Sequence, residues 1–184
     1  MRHPGSRGLG VHFSAFYTTR GVARTDREDF GGYFHRLKML GDCADHDWLF
    51  LCDPFGAFAN GTYYTGERGD LFVERATAAI IDRVVADGGY GSDQVVTLGS
   101  SMGATAALKF GRRLGAAGIV AVGPHIDLDI SAVRQNRMAE VAFALPDGDV
   151  AAPHNRVITR QVRNELANGP TPPPLFVQSC VDDH

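Results

Sequence analysis

Long hydrophobic runs are missing from this chain. No segment approaches the ~20 consecutive apolar residues of a membrane-spanning helix, and Met1 to Arg7 lead into no apolar stretch of the kind a secretory leader carries. The expectation is a cytoplasmic protein with no transmembrane segment. Cysteine is scarce: Cys43, Cys52 and Cys180 are odd in number and lack metal-type spacing, so neither a disulfide scaffold nor a zinc site is indicated, and reduced, mostly buried thiols are expected. A basic excess is lacking too. The 18 Lys and Arg are outnumbered by 21 Asp and Glu, which leaves no electrostatic footprint for nucleic acid. The phosphate-binding patterns G-x-x-x-x-G-K-S/T and G-x-G-x-x-G do not occur at the glycine-rich turn described next, and no cofactor is implied. There is no internal repeat and no low-complexity tract. What remains is 184 residues that are 44% hydrophobic, enough for one full core in a single domain.

One stretch organises the rest. Gln94 to Leu98 is short, apolar and partly β-branched, and reads as a buried parallel strand. Gly99-Ser100-Ser101-Met102-Gly103 follows it. Beyond come small residues, with Ala104, Ala107, Leu108 and Gly111 at helical spacing. Strand, tight turn and helix in that order make a nucleophile elbow. The turn puts its central residue under backbone strain. Positions two before and two after it press on neighbouring elements, where only a hydrogen fits, and these are Gly99 and Gly103. Ser101 then presents its hydroxyl, while Ser100 lacks the flanking glycine pair. The Met102 amide opens the helix and is available to an oxyanion. The plainer alternative is a Gly/Ser-rich turn that cradles phosphate.

Around it the chain alternates. Gly10 to Phe16 reads as a strand, Tyr33 to Leu40 as a short helix with His35 on its surface, and Trp48 to Cys52 as a buried strand closed by Asp53-Pro54-Phe55-Gly56. The glycine- and aromatic-rich loop from Asn60 to Gly66 is either a self-packed turn or a pocket wall. Asp70 is placed to cap a helix through Phe72, Ala76, Ala79, Ile80 and Val84, stopped by Gly88-Gly89. After the elbow helix, Gly118 to Val122 is a strand, Ser131 to Phe143 a helix, Arg156 to Ala167 an amphipathic helix, and Leu175 to Ser179 a last strand. Strands alternating with helices predict a three-layer, doubly wound parallel α/β sheet of about five strands in the order 2-1-3-4-5.

This pattern resembles the core of the α/β-hydrolase fold over nearly the whole of residues 1–184, with a helical cap-like insertion at 130–170 in a single domain. Within that superfamily, Phe13-Ser14-Ala15, Leu49-Phe50-Leu51-Cys52-Asp53-Pro54, Tyr63-Tyr64-Thr65-Gly66 and the elbow are similar to capsular-polysaccharide-biosynthesis proteins of the XcbB/CpsF kind. The resemblance implies Ser101 as nucleophile. It implies an oxyanion hole from the Met102 amide and an amide near Ala15 or Phe16. The family's acid follows its seventh strand as Gly-x-x-Asp; Ser179-Cys180-Val181-Asp182 stands there, with Ser for Gly, so Asp182 is the implied acid and Asp183 the second choice. Asp127, after the fourth strand, is another position where members carry the acid. The histidine departs from the pattern. The family places it on a loop after one further strand, and this chain is expected to stop short of that strand. His184 adjoins the acid; His125 and His154 are stand-ins by position. The family's first two strands are also missing from the pattern.

The implied activity is serine-based acyl transfer, as an esterase-like hydrolase or an O-acyltransferase, on a small acyl ester or an acylated saccharide. The competing reading is a non-catalytic binding subunit that keeps the fold, and a phosphate or nucleotide binder ranks below both.

Overall fold

The computed structural model describes residues 1–16, 34, 36–169 and 171–179. The predicted Tyr33–Leu40 helix lies partly outside them, with His35; what is described is α1, Leu37–Gly41.

A parallel five-stranded sheet in the order β2-β1-β3-β4-β5 forms the centre, as the sequence pattern predicted. Its strands are β1 (Leu9–Phe13), β2 (Asp47–Leu51), β3 (Val95–Ser100), β4 (Gly118–Val122) and β5 (Leu175–Gln178). The remaining helices are α2 (Phe72–Gly88), α3 (Met102–Leu114), α4 (Leu128–Arg134), α5 (Met138–Ala144), α6 (Arg156–Thr159) and α7 (Gln161–Asn168). No helix among the described residues is long and apolar enough to cross a membrane.

The register aligns Phe13 with Gly99 and Ser100 with Val122. The exits of β1, β3 and β4 therefore come together at one end of the sheet, where ligand sites form in open parallel sheets. α3 lies against β1, β3 and β4 because its inner residues are small. A Cβ at Gly111 would run into Thr97 and Ile119, and the Thr97 hydroxyl donates to the Ala107 carbonyl at 2.9 Å. Phe13 fills the space beside α3, stacked on Phe110 and edge-on to Tyr64, each at 5.4 Å.

Several local expectations are corrected. The segment read as one helix over 131–143 is α4 and α5, broken where Asn136 takes a positive φ of 52°, a conformation that asparagine tolerates well. The segment read as one helix over 156–167 is α6 and α7, and Val157 on it is exposed. Asp70 does not cap α2; it pairs with Arg75 at 2.7 Å. The buried face of α2 carries Val73, Glu74, Thr77 and Ile81, while Ala76, Ala79 and Ile80 are exposed.

That rotation has a physical cause. Lys109 on α3 is fully buried and pairs with Glu74 at 2.8 Å, and Arg113 takes the other Glu74 oxygen at 2.6 Å. A buried ammonium is more costly to leave unpaired than a few aliphatic carbons are to expose, so Glu74 turns inward to Lys109 and also meets the partly exposed Arg113. Burial pushes the Glu74 carboxyl up, but the two cations outweigh it and hold it below its usual range. For Lys109, burial wins and lowers its value against the pull of Glu74.

Candidate active site

The turn after β3 has the backbone expected of an elbow. Ser101 sits at φ 52°, ψ −124°, outside the regions open to ordinary L-residues and costing on the order of 1–3 kcal/mol. Neighbours on both sides fix that conformation. The Ser101 amide donates to the Val122 carbonyl at 2.8 Å, and the Ser101 carbonyl accepts from the amides of Ala104 at 2.9 Å and Thr105 at 3.2 Å. A Cβ on Gly99 would strike the Gly103 backbone, and one on Gly103 would strike the Phe13 carbonyl. The two flanking glycines are thus required by contact with each other and with β1. Met102 is the first residue of α3, so its amide belongs to the turn that has no intrahelical acceptor.

Beside the elbow, the loop from Asp53 to Gly66 forms a wall. The Asp53 carboxylate is buried and organises it. One oxygen accepts from the Thr62 amide at 2.6 Å, the Thr62 hydroxyl at 2.8 Å and the Tyr64 amide at 2.9 Å; the other accepts from the Phe55 amide at 3.2 Å. Tyr63 and Tyr64 are thereby held at φ 58° and 53°, which bulky residues adopt only when surroundings force them. Gly61, at φ 125°, lies against the tip of the Met102 side chain and the Phe16 ring. Phe16 in turn meets Tyr63 edge-on at 4.9 Å and carries the Arg137 guanidinium 4.8 Å above its ring.

The sequence-derived candidates separate into groups. Ser101 and Met102 lie at the β1 exit: Gly103 faces the Phe13 and Ser14 backbone, and Gly61 lies beside both Met102 and Phe16; Ala15 stands between Ser14 and Phe16 in sequence. His125 joins them: its backbone N–H donates to the Thr105 hydroxyl at 2.9 Å, that hydroxyl reaches the His125 carbonyl at 3.0 Å, and its Nδ1 lies 2.7 Å from the Tyr63 hydroxyl. His154 is elsewhere. Its ring is 64% exposed and is engaged with Asp147 at 2.8 Å. Asp127 is buried and ion-paired with Arg163 at 2.9 Å, so one of its oxygens is already committed. Asp182, Asp183 and His184 lie outside the described residues.

Sequence reading gave no role to Asp53 beyond ending its strand, and none to Tyr63 as an individual residue. A signal was present for the first. An aspartate at a parallel-strand exit, followed within eleven residues by Gly-Thr-Tyr-Tyr, is well placed to accept amide hydrogens from the returning loop. Nothing in the sequence pairs Tyr63 with His125, 62 positions away.

The sheet order, the crossovers and the elbow define an α/β-hydrolase-like fold. No family model and no curated protein sequence matches the chain; the likeness is in three dimensions. One similar structure is a chain of the Glycosylation Associate Protein (Gap123) complex from Streptococcus agalactiae, with a TM-score of 0.71 and 20% identity, over 96% of this chain and 32% of that one. A second is the capsule O-acetyltransferase of Neisseria meningitidis serogroup A, solved in complex with CoA, with a TM-score of 0.63 and 18% identity, over 89% of this chain and 62% of that one. A third is FphF, a fluorophosphonate-binding serine hydrolase of Staphylococcus aureus, with a TM-score of 0.54 and 12% identity, over 97% of this chain and 65% of that one. The chain thus spans about a third of the first of these and under two thirds of the others.

Proposed function

We propose that this chain carries out serine-based acyl transfer. Ser101 is the nucleophile, and the Met102 amide with an amide near Ala15 or Phe16 forms the oxyanion hole. One observation carries this reading: Ser101 alone holds a strained, positive-φ conformation between the end of β3 and the start of α3, with glycines at both crowded flanks. A chain has no packing reason to keep a polar residue in that conformation, where glycine would relieve the strain. Chemically, the Ser101 oxygen attacks an acyl carbonyl, its proton passes to a base, and the negative charge on the carbonyl oxygen meets the helix-start amide. Collapse expels the leaving group and leaves an acyl-serine ester. Water or a sugar hydroxyl then accepts the acyl group.

The acid and base belong to this proposal on the ground of the α/β-hydrolase resemblance: Asp182 as acid, with Asp183 and Asp127 behind it, and a histidine drawn from His184, His125 or His154. The ion pair with Arg163 weighs against Asp127, and the exposed pairing with Asp147 weighs against His154. A capsule O-acetyltransferase among the similar structures supports a saccharide hydroxyl as acceptor, in keeping with the resemblance to capsular-polysaccharide-biosynthesis proteins. The segment 130–170 is proposed as a helical cap-like insertion in a single domain, and the protein as cytoplasmic. The test is acylation itself. The protein is mixed with p-nitrophenyl acetate or acetyl-CoA, quenched, and its peptides are weighed. An acetyl group on Ser101, absent from Ser101→Ala, is expected. Unmodified protein with both donors, or acetylation on another residue, overturns the proposal in favour of a binding module.

A further inference from the structure

We infer that the Tyr64 hydroxyl fixes the Ser14–Ala15 peptide, so that the Ala15 amide, and not that of Phe16, is the strand-side donor to the oxyanion. This rests on the acyl-transfer reading of the elbow and deepens it. Tyr64 is a fully buried tyrosine in a left-handed conformation, at φ 53°, and each of its polar groups is engaged. Its amide donates to Asp53 at 2.9 Å, and its carbonyl accepts from Lys109 Nζ at 3.4 Å. Its ring meets Phe13 edge-on at 5.4 Å. Its hydroxyl shares one hydrogen between two backbone carbonyls: Leu51 at the end of β2, at 3.0 Å, and Ser14 at the exit of β1, at 3.2 Å. Burial, with the Asp53 charge adding to it, keeps the phenol protonated. The Leu51 carbonyl also accepts from the Ser14 amide at 3.0 Å. The Ser14 carbonyl has no donor among the described residues except Tyr64.

Backbone geometry carries this anchor to Ala15. A trans peptide is planar, and its C=O and N–H point opposite ways; no peptide bond among the described residues is cis. The Ser14 N–H and C=O both turn toward β2, one to Leu51 and the other to the Tyr64 hydroxyl beside Leu51. The Ala15 N–H therefore points to the other side of β1, where β3 lies. Phe13 is level with Gly99, so Ala15 leaves β1 level with Ser101, about one strand spacing of ~4.8 Å away. The contact at Gly103 agrees. The position its Cβ would take is 3.0 Å from the Ser14 carbonyl carbon, the atom bonded to the Ala15 nitrogen. Among the described residues neither the Ala15 nor the Met102 amide has a backbone acceptor, so both are available to one oxygen between β1 and the start of α3. The Ala15–Phe16 peptide has no such anchor: no backbone amide among the described residues donates to the Ala15 carbonyl. Tyr64 does not touch the reacting atoms. It acts through the Ala15 amide and is its positioning residue.

The experiment has two arms. In the first, amide nitrogen relaxation is measured by NMR on the protein without substrate, as wild type and as Tyr64→Phe, which removes only the hydroxyl. The Ala15 amide is expected near the rigid-backbone order parameter of about 0.85 in wild type and clearly lower in the variant. Equal order in the two proteins overturns the anchoring. In the second arm, acylation of Ser101 by p-nitrophenyl acetate is followed in single turnovers. An oxyanion contact strengthens only in the transition state, so its loss lowers the rate at saturating donor and leaves the half-saturating donor concentration in place. Tyr64→Phe is expected to lose about 10- to 100-fold in that rate, with half-saturation within about twofold. Ala15→Pro removes the donor itself and breaks no backbone hydrogen bond among the described residues; it is expected to lose about 100-fold or more, the range seen for lost oxyanion donors. An unchanged rate in Ala15→Pro, or a Tyr64→Phe loss that lies wholly in half-saturation, overturns the inference. If wild-type Ser101 is not acylated at all, the acyl-transfer reading falls, while the NMR arm still decides whether Tyr64 holds the peptide.

Discussion

The α-carbon of Gly103 faces the carbonyl of Phe13 so closely that no Cβ fits between them. This contact joins the start of α3 to the exit of β1, and with it the nucleophile turn to the proposed oxyanion strand. Gly103→Val forces the two apart. We expect a loss of about 2–4 kcal/mol in urea unfolding, well beyond the ~0.5 kcal/mol of an ordinary surface change. A variant within the surface range would show that the turn is not held by this contact.

The buried network of Lys109, Glu74 and Arg113 predicts unequal costs for its members. Glu74→Ala strands two cations, one of them fully buried, and is expected to cost about 3–5 kcal/mol. Lys109→Met leaves Glu74 still paired with Arg113 at 2.6 Å, so a much smaller loss is expected, or none. Urea melts of the two variants make the comparison. A larger loss for Lys109→Met would contradict the account.

The same carboxylate sets an acid limb of stability. Glu74 titrates below its ordinary value of 4.5 in the folded protein. A carboxyl depressed on folding contributes stability above its unfolded value and loses it as the pH falls through its folded value. Unfolding free energy should therefore drop from about pH 5 downward, and Glu74→Gln should lessen that drop. Parallel profiles for the two proteins would remove Glu74 from the explanation.

Asp53 is expected to matter for the loop more than for the sheet. Asp53→Ala leaves the amides of Thr62 and Tyr64 buried without an acceptor, at about 1–3 kcal/mol each. Asp53→Asn keeps the shape but loses the charge. Limited proteolysis should cut first near Thr62 to Tyr64 in both variants, and acyl transfer should fall with it. Cleavage unchanged from wild type would show that the carboxylate does not hold the wall.

The elbow was legible in the sequence because its cause is local. A strand, two glycines four positions apart and a helix of small residues are enough to specify a crowded turn, and the strand order followed from handed crossovers. The α2 face was misread because hydropathy ranks Ile80 above Glu74, whereas the buried charge of Lys109 decides which of them turns inward. The breaks near Asn136 and Arg160 were missed because periodicity runs through them. The pairing of Tyr63 with His125 was out of reach, since it depends on Asp53 folding one loop back onto another.

The central claim is that Ser101 is an elbow nucleophile. The most direct test is labelling of the intact chain with a fluorophosphonate probe, followed by peptide mapping. The account predicts a single adduct on Ser101, with none on Ser100, that disappears in Ser101→Ala. An adduct that persists unchanged in Ser101→Ala, or one that maps to Ser100, would contradict it.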